Sequence, residues 1–204
     1  YFTTRRRGPE AFSGDMLVVI CPTQSVSDDY RRRLVDYVAG GGKLLVIDSP
    51  DSYGSTANSL LWPFGLVMNH ATDHEGALQL ADGWPGIELQ GSCEVIGGKP
   101  FIWLDDMPVG ALARHGDGMV MAIGFGGLFR DAFMGYNWMT DPDADLLERF
   151  NLLFALVRGL GEGREPTTWQ PAVAAETPET PKPSEASPKG EESDAAVRSG
   201  VNGS

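Results

Sequence analysis

The chain has 204 residues, a formal charge of −12 and two cysteines. That length suits one ordinary domain plus an appendage, and the acidity excludes a binder of nucleic-acid phosphates, which needs a basic surface. Two widely separated cysteines exclude a disulfide framework or a zinc cluster, and no apolar run reaches the roughly 18–20 residues of a membrane-spanning helix.

Two short basic runs, Arg5-Arg6-Arg7 and Arg31-Arg32-Arg33, read as solvated surface, because no amphipathic hydrophobic segment lies beside either to anchor it in a membrane. Residues 17–20 and 44–47 are continuous branched-aliphatic runs, the pattern of strands covered on both faces. Between them Ser27 caps a helix, Asp28 and Asp29 face the positive end of its dipole, and Tyr30, Leu34, Tyr37 and Val38 form its apolar stripe. Gly40-Gly41-Gly42 ends it. The unit is strand–helix–strand, and it places any ligand beyond the carboxyl ends of two parallel strands.

A second helix is expected over 55–62, ending at Pro63-Phe64-Gly65. From Leu66 to His115 the character changes: β-rich pieces at 76–80, 87–89, 93–96, 101–104 and 109–114 alternate with Asp-Gly, Gly-Gly and Asp-Asp turns. That stretch predicts an antiparallel meander inserted into, or flanking, the parallel sheet. Residues 119–123 form another buried strand, ending in Gly124-Phe125-Gly126-Gly127. In the last helix Asp141 is the expected cap and Pro142 the first helical residue, with Leu146, Phe150, Leu153, Phe154 and Val157 on one buried face. Residues 161–204 are dominated by Pro, Glu, Ala, Ser and Thr and predict a disordered acidic tail, leaving 1–160 as the domain.

Three pieces together resemble a known group: the strand ending in Cys21-Pro22-Thr23 with the helix and the run Gly40-Gly41-Gly42-Lys43-Leu44-Leu45-Val46-Ile47-Asp48 that follow; Ser55-Thr56-Ala57-Asn58 with Leu60-Leu61 and Phe64-Gly65; and Gly116-Asp117-Gly118 leading to residues 120–123, Leu128-Phe129-Arg130-Asp131 and a closing Asn-Leu-Leu helix. The chain resembles the class I glutamine amidotransferase-like superfamily, in its uncharacterised, non-amidotransferase branch of bacterial envelope proteins. The resemblance implies a flavodoxin-like α/β fold, a mostly parallel sheet with helices on both faces, and an envelope-associated setting. It also implies that residues 1–7 are an edge strand and that a first strand–helix unit is missing, its place taken by the rest of a longer parent chain or by a partner.

The nucleophile of true amidotransferases in that superfamily does not carry over. Residues 44–47 are followed by Asp48-Ser49-Pro50 instead of a cysteine on a glycine-flanked turn, Cys21 lies one strand earlier, and no His-x-Glu follows the last strand. Nor does Ser49 sit in Gly-x-Ser-x-Gly, and Pro50 removes the N–H that would help form an oxyanion hole. His70, Asp73, His74 and Glu75 are the one histidine cluster, read as an acidic surface loop and not a metal site. No catalytic residue, metal or cofactor is expected.

The remaining candidates for ligand binding sit at the strand ends: Cys21, Thr23, Asp48, Ser49, Asp51, Asn58, Gly124, Gly126, Arg130 and Asp131. The glycines can let backbone amides approach an anion, while the three aspartates favour a polar, sugar-like ligand over phosphate. Phe133, Met134, Tyr136 and Trp138 form an apolar stretch before the last helix and are candidates for a protein interface. The expected function is a non-catalytic module that binds a partner protein or a small polar ligand. The alternative is a hydrolase of a polar substrate that uses Asp48, Asp51 and Asp131 as acid and base.

Overall fold

The computed structural model describes residues 9–79, 87–130, 133–135 and 141–164. Among them, Met16–Ile20 (β1), Asp28–Ala39 (α1) and Lys43–Ile47 (β2) form the expected strand–helix–strand unit, with β1 and β2 parallel and in register from Met16↔Lys43 to Ile20↔Ile47. Ser27 caps α1, its hydroxyl accepting from the Tyr30 N–H, and Leu34 and Val38 are buried. The helix stops where Gly41 takes a φ of 105°, a conformation that a side chain would strain. Ala57–Leu61 (α2) is one turn long and continues as a 3-10 turn, Trp62–Phe64, so the second helix is shorter than its sequence suggests.

The next four strands are Val67–Gln79 (β3), Glu88–Ile96 (β4), Lys99–Leu104 (β5) and Met107–His115 (β6), and Gly118–Ile123 (β7) follows. The seven form one open sheet in the order β1-β2-β7-β6-β5-β3-β4. β2 and β7 are parallel neighbours, so β3–β6 are inserted in the chain between two strands that lie side by side. Here the expectation of a mostly parallel sheet is corrected. Only β1–β2 and β2–β7 pair in parallel, whereas β7–β6, β6–β5, β5–β3 and β3–β4 are antiparallel.

The inserted strands are not a sequential meander either, because β5 pairs with β3 and not with β4. β3 begins nine residues earlier than its apolar end at 76–80 suggests, and it includes His70, Asp73, His74 and Glu75, expected in a loop. Much of that stretch is exposed and polar, so hydrophobic patterning conceals it. Its ladder with β4 shifts between Asn69 and His74 and again before Gly76, whose φ is 145°. Such irregularities bend a strand. The bend lets Val95 and Cys93 pack with Met68 and Ala111 on one face while Leu78 and Leu89 join the other.

Ala144–Gly161 (α3) is capped by Asp143, whose carboxylate accepts from Leu146 N–H at 2.8 Å. The cap is therefore Asp143 and not Asp141, and Pro142 precedes it. The sheet is covered on both faces. Leu44, Val46, Val120 and Ala122 meet α1 and α2 on one side; Leu45, Ile47, Met119, Met121 and Ile123 meet Leu152, Leu156 and Leu160 of α3 on the other. Trp62 is exposed, and Trp84, Trp138 and Trp169 lie outside the described residues, as do residues 1–7 and the tail beyond Arg164. No described helix is long and apolar enough to cross a membrane.

Candidate functional site

The carboxyl ends of β2 and β7 meet the bent β3–β4 hairpin, and a half-open cleft of about 240 Å³ lies between them. Ser49, Pro50 and Asp51 line it from the end of β2; Gly127, Leu128 and Arg130 from the 3-10 turn Gly126–Phe129 after β7; Asp73, Glu88, Leu89, Gln90 and Gly91 from the hairpin; and Phe133 and Arg149 from the entry to α3. The volume lies just below the roughly 300 Å³ at which small-molecule pockets begin, and the lining alternates polar groups with short apolar surfaces.

Asp48 and Asp51 are three residues apart and have opposite surroundings. Asp48 is fully buried. One of its carboxylate oxygens accepts from the Ser49 N–H at 2.9 Å, and the other accepts from the Ser55 hydroxyl and lies 3.0 Å from Nε2 of His70. It is set behind the cleft wall, with its oxygens turned to protein groups. Asp51 is half exposed, forms an ion pair with Arg130 and accepts from the Ser49 hydroxyl at 2.5 Å. The Arg130 guanidinium, and then the Ser49 hydroxyl, hold the Asp51 carboxyl below its ordinary value. Arg130 also reaches the Ser49 oxygen at 3.5 Å.

Cys21 ends β1 at a φ of 43°, which is uncommon for a residue with a side chain. Burial raises its thiol above the ordinary cysteine range; the nearby Ser52 hydroxyl opposes that and the Asp48 charge adds to it. Cys93, buried on β4, is pushed up to about 12 by burial and then by the same carboxylate. Both thiols are therefore protonated at neutral pH, and the nucleophile is the thiolate. His70 presents Nε2 to Asp48 and makes no hydrogen bond to the Cys21 sulfur or the Ser49 hydroxyl.

The other sequence candidates separate in the same way. Asn58 clamps α2 to β3, donating to the Met68 carbonyl at 2.9 Å and accepting from the Met68 N–H at 2.7 Å. Thr23 is exposed but does not line the cleft. The Gly124 N–H donates to the Val109 carbonyl and the Gly126 N–H to the Asp48 carbonyl, so neither amide is open to an anion. What glycine supplies at 124 is close approach: a Cβ there would overlap the Cys93 carbonyl oxygen. Arg130 lines the cleft, and Asp131 lies outside the described residues. Phe133 and Met134 are half-buried, Phe133 as cleft wall beneath Arg149, which donates to its carbonyl at 2.7 Å and stacks over its ring; Tyr136 and Trp138 lie outside the described residues.

Sequence reasoning gives no strand-end role to Ser55, Glu88, Gln90, Gly91 or Arg149, and it reads His70 and Asp73 as surface loop. His70 and Asp73 reach the strand ends because β3 bends, and the signal that could have flagged it is Gly76 within an otherwise polar strand. Among the described residues no group of three His, Cys, Asp or Glu side chains is placed to hold a metal ion.

No protein-family model and no curated protein sequence matches the chain. Among solved structures it is similar to the mmIFT52 N-terminal domain, with a TM-score of 0.52 and 13% identity over 72% of this chain and 79% of that one. It is also similar to a β-galactosidase from Bacillus circulans sp. alkalophilus (TM-score 0.46, 14% identity, 76% of this chain) and to Cytoplasmic Protein STM1381 from Salmonella typhimurium LT2 (TM-score 0.46, 18% identity, 58% of this chain and 64% of that one). The chain spans only 24% of the length of that galactosidase. At these identities the likeness to the first domain is one of fold alone.

Proposed function

We propose that the chain is a non-catalytic module of the class I glutamine amidotransferase-like kind, which holds a small polar, sugar-like ligand in the cleft at the carboxyl ends of β2 and β7. The observation that carries this reading is the Ser49–Asp51–Arg130 group. It is a half-exposed carboxylate and guanidinium paired at the rim and bonded to the buried Ser49 hydroxyl behind them, flanked by the apolar surfaces of Leu89, Leu128 and Phe133. Side-chain donors and acceptors beside short apolar patches suit a polyhydroxylated ring, whose faces are apolar and whose edge is polar.

The hydrolase alternative needs one carboxyl raised enough to donate a proton and a second poised as base. Asp48 is enclosed, and Asp51 is held in its charged form by Arg130, which argues against that pair. A protonated Cys21 with no imidazole bonded to its sulfur argues against thiol catalysis.

The test is titration of the isotope-labelled protein with neutral mono- and disaccharides, followed by amide and side-chain NMR shifts. Saturable shifts confined to Ser49, Asp51, Gln90, Gly91, Gly127 and Arg130, with no turnover of chromogenic glycosides, are the expected result. Shifts absent across the panel, or turnover lost in Asp51→Asn, would overturn the reading.

A further inference from the structure

The cleft has two walls of opposite charge. Its lining carries three carboxylates, Asp51, Asp73 and Glu88, and two guanidiniums, Arg130 and Arg149. Asp51 and Arg130 neutralise each other. The other three are unmatched. The side chains of Asp73 and Glu88 make no hydrogen bond or ion pair among the described residues, and Arg149 meets no carboxylate there.

The carboxylate wall is the β3–β4 hairpin. Asp73 lies in the irregular stretch of β3, where the ladder with β4 shifts between Asn69 and His74. Its side chain is turned over the β4 backbone: a Cβ on Gly91 would stand 3.2 Å from Oδ1 of Asp73 and 3.8 Å from the Pro50 ring. Glycine at 91 therefore leaves the gap in which that oxygen sits, beside the end of β2. The Asp73 charge is felt further in, since it adds, after burial and Asp48, to the raising of the Cys93 thiol. Glu88 stands three residues, about 10 Å, along the same strand.

The guanidinium wall is α3. Arg149 is half-buried in the second turn of that helix. Its Nη1 donates to the Phe133 carbonyl at 2.7 Å, and its Cζ lies 5.6 Å from the centre of the Phe133 ring. Those two contacts fix the group, while Nε and Nη2 have no partner among the described residues. A guanidinium held in this way suits a planar carboxylate, which it can meet with two parallel N–H bonds. A simple anion at Arg149 would also meet the repulsion of Asp73 and Glu88, and a simple cation would leave Arg149 without a counter-charge.

We propose that the cleft selects a zwitterionic sugar, an amino sugar that also carries a carboxyl group, with its ammonium on the Asp73 wall and its carboxylate on Arg149. This rests on the reading of the cleft as a site for a small sugar-like ligand, and narrows it. The apolar surfaces of Leu89, Leu128 and Phe133 serve the ring, and the Asp51–Arg130 pair its hydroxyls.

The experiment uses four hexopyranoses that differ in charge: glucose, glucosamine, glucuronic acid and 2-amino-2-deoxyglucuronic acid. Dissociation constants come from NMR titration of the full chain at slightly acid pH, where the amine is protonated and the carboxylate charged. The amino uronic acid is expected to bind about tenfold or more tighter than glucose, with glucosamine between them and glucuronic acid no tighter than glucose. Arg149→Gln is expected to weaken the amino uronic acid about tenfold and glucosamine much less. Asp73→Asn is expected to weaken both amines and to leave glucuronic acid bound no worse. General loss of structure would not produce that crossed pattern. An amino uronic acid that binds no tighter than glucose, while glucose still shifts the cleft residues, would overturn this inference and leave the cleft reading standing. Glucuronic acid binding tightest of the four would overturn it too. Cleft shifts from none of the four would remove the reading on which it rests as well.

Discussion

The parallel and antiparallel halves of the sheet obey different rules, and the cleft lies where they meet. In the parallel half, β2 and β7 are buried on both faces, so each reads as an apolar run, β2 ending at Asp48-Ser49 and β7 at Gly124. In the antiparallel half, β3 and β4 carry polar residues on an exposed side and change register along their length. The first half supplies fixed strand ends; the second bends over them and delivers His70, Asp73 and Gly91. Asp48 marks the seam, as a carboxylate of the regular half that lies 3.0 Å from an imidazole nitrogen of the irregular one.

Three substitutions break or sharpen this comparison. The largest expected effect is that of Asp48→Ala, which removes the acceptor shared by the Ser49 N–H, Ser55 and His70 and leaves them without a buried partner. A loss of about 3 kcal/mol is expected from chemical denaturation, and a loss below about 1 kcal/mol would mean that the two halves are not tied there. Next comes Gly124→Ala, where the new methyl group meets the Cys93 carbonyl across the seam. Overpacking against backbone predicts a loss of about 2 kcal/mol, with the β4 amides near Cys93 shifting in NMR spectra and the α1 amides unmoved.

The smallest effect is that of Asp51→Asn. Its carboxyl titrates lower in the folded chain than the roughly 3.9 of an unfolded aspartate, so the folded state favours the charged form. The resulting stability is fully present above that unfolded value and is lost as pH falls through the lower folded value. Because the ion pair is half exposed, the deficit of the variant at neutral pH should stay below about 1 kcal/mol and vanish in strong acid. Denaturation midpoints from neutral to acid pH check this, and a deficit that grows on acidification would contradict the assigned sign.

How much was legible in the sequence follows the same division. Ser27, the 44–47 run and Gly40-Gly41-Gly42 define the parallel unit through local rules, and the structure follows them. The extent of β3 was hidden because Asn69, His70, Thr72 and Asp73 are polar, so a half-exposed strand resembled a loop. The cap at Asp143 was misassigned to Asp141 because both lie near Pro142, and only the bond to Leu146 decides between them. At the candidate site, Ser49, Asp51 and Arg130 were readable as a strand-end cluster. The burial of Asp48 was not, since it depends on Ser55 and on a histidine 22 residues away in the chain.

The peptide N–H groups of Asp48, Ser49, Gly124 and Gly126 all donate inward, to protein oxygens. The rim consequently meets a visitor with side chains. A rim of that kind can change its preference through single replacements at Asp51, Gln90 or Arg130 while the main chain stays as it is. Selectivity at this edge would then drift readily among related proteins of the same shape, and its architecture would persist long after the molecule it recognises has changed.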